Sequence, residues 1–127
     1  MTLIRTTGNR ICTQQPQSLV EQLLEQMLYQ TGHRASPSEQ SSWRKSLPAF
    51  AIDIAEAGLG EVEMLIEYHL PLTSQRADVV LAGVHPWTGQ PSYVIVELKQ
   101  WSTAFAFEGD PELSRSQACR GRRNCIQ

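Results

Sequence analysis

Residues 76–101 read RADVVLAGVHPWTGQPSYVIVELKQW, and this stretch decides the fold. Two apolar runs, 77–84 and 93–99, flank a segment dense in turn formers (His85-Pro86-Trp87-Thr88-Gly89-Gln90-Pro91). That pattern predicts a β-hairpin. Both runs are apolar on both faces: Val79 and Leu81 oppose Val80 and Ala82, and Val94 and Val96 oppose Tyr93 and Ile95. Strands of this kind are covered on both sides, so the sheet is expected to lie between helices. Three charges interrupt the apolar runs: Asp78, Glu97 and Lys99. If Val84 faces Tyr93, Asp78 faces Lys99 and Glu97 is its diagonal neighbour. Side chains on a strand alternate, so Glu97 and Lys99 share one face, and in this register Asp78 joins them. A slip of one residue would scatter the group.

Upstream, Val62–Leu70 alternates and reads as a further strand, closed by the turn Pro71–Gln75. Before it the periodicity is helical. Residues 17–30 carry Leu19, Leu23, Leu24, Met27 and Leu28 on one face and stop at Thr31-Gly32. Ser36-Pro37-Ser38-Glu39 opens another helix: Ser36 caps, Pro37 takes the first turn and Glu39 completes a capping box. Pro48 is expected to break it, with a second piece running to Ala57 before Gly58. Residues 1–16 read as a loose arm, and 104–127 as an irregular tail carrying Arg115, Arg120, Arg122 and Arg123. The expected domain is therefore 17–103: helices followed by a three-stranded, mainly antiparallel sheet.

Composition narrows the function classes. The 127 residues suit one domain, and 41% hydrophobic with 19% charged residues is globular rather than disordered. A net charge of −2 gives no whole-molecule attraction to nucleic acid, so such a partner needs a local patch. No apolar run approaches the roughly 18–20 residues that span a bilayer, and residues 1–15 lack the apolar core of a secretory signal. Cys12, Cys119 and Cys125 have no metal-site spacing, and an odd, scattered count fits a reducing cytoplasm. A Ser–His–Asp set, a nucleophile elbow and a Gly-rich phosphate loop are all missing.

Two carboxylates converging at a strand end beside a lysine suit a hard divalent ion, magnesium or manganese. Asp78 and Glu97 would supply oxygens, with the Leu98 backbone carbonyl as a third donor. Glu39 or Glu67 would add a carboxylate from outside the hairpin. Lys99 would orient the attacking water or offset developing charge. A buried ion pair that only fixes strand register accounts for the same spacing.

The strings RADVVLAG (76–83) and VIVELKQW (94–101) resemble the D…ExK signature of the PD-(D/E)xK, restriction-endonuclease-like nuclease superfamily. With Ser42-Trp43, Leu47 and Glu67–Pro71, the resemblance covers about residues 36–103. It is similar to the N-terminal region of bacterial proteins in which such a segment precedes a P-loop helicase or ATPase domain. The spacing D-x18-ExK alone is weakly specific; the flanking apolar strands and ELKQW sharpen it. The resemblance implies a core of helix, three strands, helix and strand, with Asp78 and Glu97 as metal ligands and Lys99 as the catalytic lysine. It also implies Gln100 as an accompanying polar residue, Glu39 as a helix-borne ligand, and DNA, less readily RNA, as substrate. Residues 104–127 offer no convincing last helix and strand, and no Walker motif follows, as expected for a truncated relative. An uncovered sheet favours dimerisation. A non-catalytic, nuclease-like assembly module is the alternative function.

Overall fold

The computed structural model describes residues 1–99, together with the backbone of three short strands at 104–106, 114–116 and 125–126. The side chains of the arginine-containing tail, Gln100 and the expected C-terminal helix and strand lie outside the described residues. The described chain is mixed α/β. Its elements run β1 (Ile4–Thr7), α1 (Gly8–Thr13), α2 (Pro16–Thr31), α3 (Pro37–Glu56), β2 (Glu63–His69), β3 (Arg76–Val84) and β4 (Pro91–Val96). The two-residue strand β5 (Leu98–Lys99) pairs antiparallel with Cys125–Ile126.

The main sheet is antiparallel in the order β1-β2-β3-β4, so it has four strands where the hydrophobic pattern predicts three. The extra strand comes from the supposed arm. Residues 1–16 are not loose: Ile4 faces Ile66 and Thr7 faces Glu63, while Leu3 and Ile11 are buried. Thr7 then caps α1 by accepting from the Arg10 amide. A strand made by long-range pairing leaves little periodicity in four residues, which is why it reads as irregular.

Helix α2 starts with Pro16 in its first turn and ends at Gly32, whose φ of 73° supplies the left-handed C-cap. Helix α3 does not break at Pro48 but runs unbroken through it. Leu47, Phe50, Ala51 and Ile54 on either side all bury in one core. Burying several such side chains at about 1.5–3 kcal/mol each outweighs the roughly 3 kcal/mol a mid-helix proline costs. The core joins these residues to Leu19, Leu23 and Met27 of α2 and to Met64, Ile66, Val79 and Val96 of the sheet.

All described helices cover that one sheet face, so the expected two-sided cover is not met by them. The opposite face carries an apolar groove of about 380 Å3 lined by Leu65, Tyr68, Val80, Tyr93 and Ile95, among others. Trp87 in the hairpin loop is 90% exposed, its ring tilted against His85 with ring centroids 5.5 Å apart.

Candidate metal and phosphodiester site

The hairpin forms with its register moved by two residues from the expected one. Val84 faces Pro91 and Ala82 faces Tyr93. The loop is tighter than expected because the His85 amide donates to the Gln90 carbonyl at 2.9 Å and closes it. A two-residue shift preserves the alternation of faces. Val79 faces Val96, so the same register extended by one residue sets Asp78 across from Glu97 rather than Lys99. On the other side of β3, Ile66 faces Val79 and Tyr68 faces Ala77, which brackets Glu67 across from Asp78. Glu67 and Asp78 thus lie level on β2 and β3, and Glu97 follows the end of β4.

Each of the three is placed differently. The ladder ends at Val96, and the Leu98 amide instead donates to Asp78 Oδ2 at 2.7 Å. Leu98 therefore meets Asp78 through its N–H, where the sequence expectation was a role for its carbonyl. Burial is the main cause that pushes the Asp78 carboxyl above its usual range. The Leu98 amide opposes this, the Glu97 charge adds to it, and Lys99 and Arg76 oppose it. Glu97 and Lys99 pair with each other at the surface, their side chains 55% and 34% exposed, and do not line the cleft beside Asp78.

That cleft is about 510 Å3 and lies between α3 and the sheet, lined by Glu39, Trp43, Glu67, Arg76, Asp78 and Leu98 together with several serines. Glu67 is 8% exposed, and its φ of 53° puts a non-glycine residue in the left-handed region inside a strand. Such backbone costs on the order of 1–3 kcal/mol and persists only where its surroundings enforce it. Here the twist buries Ile66 and Glu67 consecutively, breaking the alternation. Trp43 Nε1 donates to Glu67 Oε1 at 3.0 Å, and Arg76 Nη1 lies 3.4 Å from Oε2. Burial nevertheless dominates and raises the Glu67 pKa. The Trp43 bond and Arg76 oppose that shift, while Asp78 and Glu39 reinforce it.

Ser36 accepts from the Glu39 amide as a cap, but the Glu39 carboxylate leaves the capping box and accepts from Arg76 Nη2 at 3.2 Å. Arg76 and Trp43 stand within the stretches that carry the resemblance but have no role there; in the cleft both contact Glu67. Their signal was an arginine two residues from Asp78 and a tryptophan one helical turn after Glu39.

Among the described residues no three His, Cys, Asp or Glu side chains gather as a ready metal set. The donor chemistry still suits a hard cation: Asp78 and Glu97 are carboxylates that follow the last paired residues of the hairpin, and magnesium is often held by one or two carboxylates plus waters. Among the described residues no helix is long and apolar enough to cross a membrane. Comparison with family models, curated proteins and solved structures returns no match, so the family resemblance rests on the motif.

Proposed function

We propose that the chain is a metal-dependent phosphodiesterase domain of PD-(D/E)xK type, acting on DNA or, less readily, RNA. The observation that carries this reading is the placement of Asp78 and Glu97 one residue past the last paired positions of the hairpin, Val79 and Val96. The Leu98 amide fixes Asp78 there, and Lys99 lies beside Glu97. Like charges across a ladder are destabilising without compensation, and a divalent ion supplies it.

Asp78 and Glu97 would hold magnesium or manganese, with the Leu98 carbonyl as an added donor. A bound divalent ion neutralises phosphate charge and acidifies water. Lys99 orients the attacking water or stabilises the charge that develops on the phosphate. Glu39 is the helix-borne carboxylate of the resemblance, and Arg76 restrains it. The test is cleavage of plasmid and of single-stranded oligonucleotides in magnesium or manganese. Asp78→Ala, Glu97→Ala and Lys99→Ala should each abolish cleavage with the circular dichroism spectrum unchanged. Cleavage that survives all three substitutions refutes the reading.

A second reading is favoured by the sheet face that the described helices leave uncovered. Tyr93 and Ile95 are 71% and 50% exposed, and edge strand β4 carries no charge to discourage pairing. A non-catalytic module that assembles with a second copy or an ATPase partner through this face fits that surface. Light scattering after size exclusion decides it: a dimer that Ile95→Lys dissociates supports this reading, and a monomer at all concentrations removes it.

A further inference from the structure

Arg76 stands two residues before Asp78 on β3 and opens into the same cleft. Its Nη2 donates to Glu39, but Nη1, though 3.4 Å from Glu67 Oε2, is buried and makes no hydrogen bond. One guanidinium thus sits between two carboxylates, with good geometry toward only one, and its charge also reaches Asp78. A guanidinium keeps its charge at every accessible pH. It therefore occupies permanently the compensating role that a divalent ion near the same carboxylates would fill.

We propose that Arg76 is a resident counter-cation, a positioning residue that engages Glu39 and Glu67 in the cleft they share with Asp78 and so keeps divalent-metal affinity low. The inference rests on the metal reading of Asp78 and Glu97. Its physical content is a competition: a positive charge a few ångströms from a cation site repels the ion, and it occupies carboxylates that would otherwise turn toward it. A merely structural Arg76 would have the opposite signature, because removing it would loosen the site and weaken binding.

The measurement is Mn2+ affinity of the full chain by calorimetry, with circular dichroism confirming the fold. Arg76→Gln is expected to tighten binding about tenfold or more, while Arg76→Lys, which keeps the charge, leaves it close to the parent value. Arg76→Gln combined with Glu67→Gln restores the charge balance and is expected to lose the gain. Unchanged or weaker binding in a folded Arg76→Gln protein overturns the proposal, as does a gain that survives intact in the double variant. Should Arg76→Gln unfold, the comparison moves to Glu67→Gln against the double variant. Tighter binding in the double then supports the competition, and equal binding refutes it. Asp78→Asn separates the two claims. Binding that ignores Asp78→Asn refutes the metal reading, whereas binding that needs Asp78 but ignores Arg76→Gln refutes only the role of Arg76.

Discussion

Replacing Trp43 with phenylalanine removes one hydrogen bond and little else from the wall of the cleft. Trp43 is 4% exposed and Glu67 8%, so the bond between them at 3.0 Å is shielded from water. A hydrogen bond to a charged group contributes about 1.5–3 kcal/mol. The smaller ring leaves a void costing on the order of 1 kcal/mol at ~24 cal/mol per Å3. Trp43→Phe should therefore destabilise the protein by about 3 kcal/mol once Glu67 is ionised, a fall in Tm of roughly 10 °C for a domain of this size. In a Glu67→Gln background the acceptor is neutral, so the bond contributes only about 1 kcal/mol and the cost of Trp43→Phe shrinks accordingly. The charge-assisted part of the penalty exists only while Glu67 is ionised, so the cost should shrink as pH falls through the raised Glu67 pKa, leaving the void and a neutral hydrogen bond. Urea denaturation followed by far-UV circular dichroism at pH 4 and pH 8, on all four proteins of the cycle, measures each quantity. A cost independent of both pH and the residue at 67 would show that packing, not the buried carboxylate, governs this contact.

Other outcomes follow from the same contacts. Glu67 and Asp78 both bind their protons more tightly in the folded chain than in the unfolded one, because burial raises their pKa values. Unfolding then releases protons, and stability should fall as pH rises from the ordinary carboxylate range through those raised values. Glu67→Gln should flatten part of that slope; an identical pH profile in the variant would rule out Glu67 as a source of it. Ile11→Ala should cost about 2–5 kcal/mol by chemical denaturation, since Ile11 is 2% exposed in the core. A cost near zero would return residues 1–16 to the status of a loose arm.

Most local structure was legible in the sequence. The leucine stripe over 17–30 appears as Pro16–Thr31, the Ser36-Pro37 start opens α3 as expected, and the alternation over 62–70 becomes Glu63–His69. These signals are carried by neighbours within a few residues. What escaped depends on distant partners. Strand β1 exists because β2 offers it an edge, and helix α3 survives Pro48 because of the core it buries. Strand alternation set which residues share a face but not the register along the hairpin, because a shift of two residues leaves every face unchanged. The alternation put Asp78, Glu97 and Lys99 on one face with Lys99 opposite Asp78; Asp78 lines the cleft, while Lys99 pairs with Glu97 outside it. The bond between Glu39 and Arg76 spans 37 positions and leaves no trace in spacing. The left-handed twist at Glu67 was equally hidden, since no glycine marks it.

The most direct test of the account is a calorimetric titration of Mg2+ and Mn2+ into the intact chain and into Asp78→Asn and Glu97→Gln, all shown to be folded. The account expects one divalent site in the parent chain that either substitution removes. Binding of the same stoichiometry and affinity in both variants would contradict it, and would leave Asp78 and Glu97 as ordinary charges at the end of a hairpin.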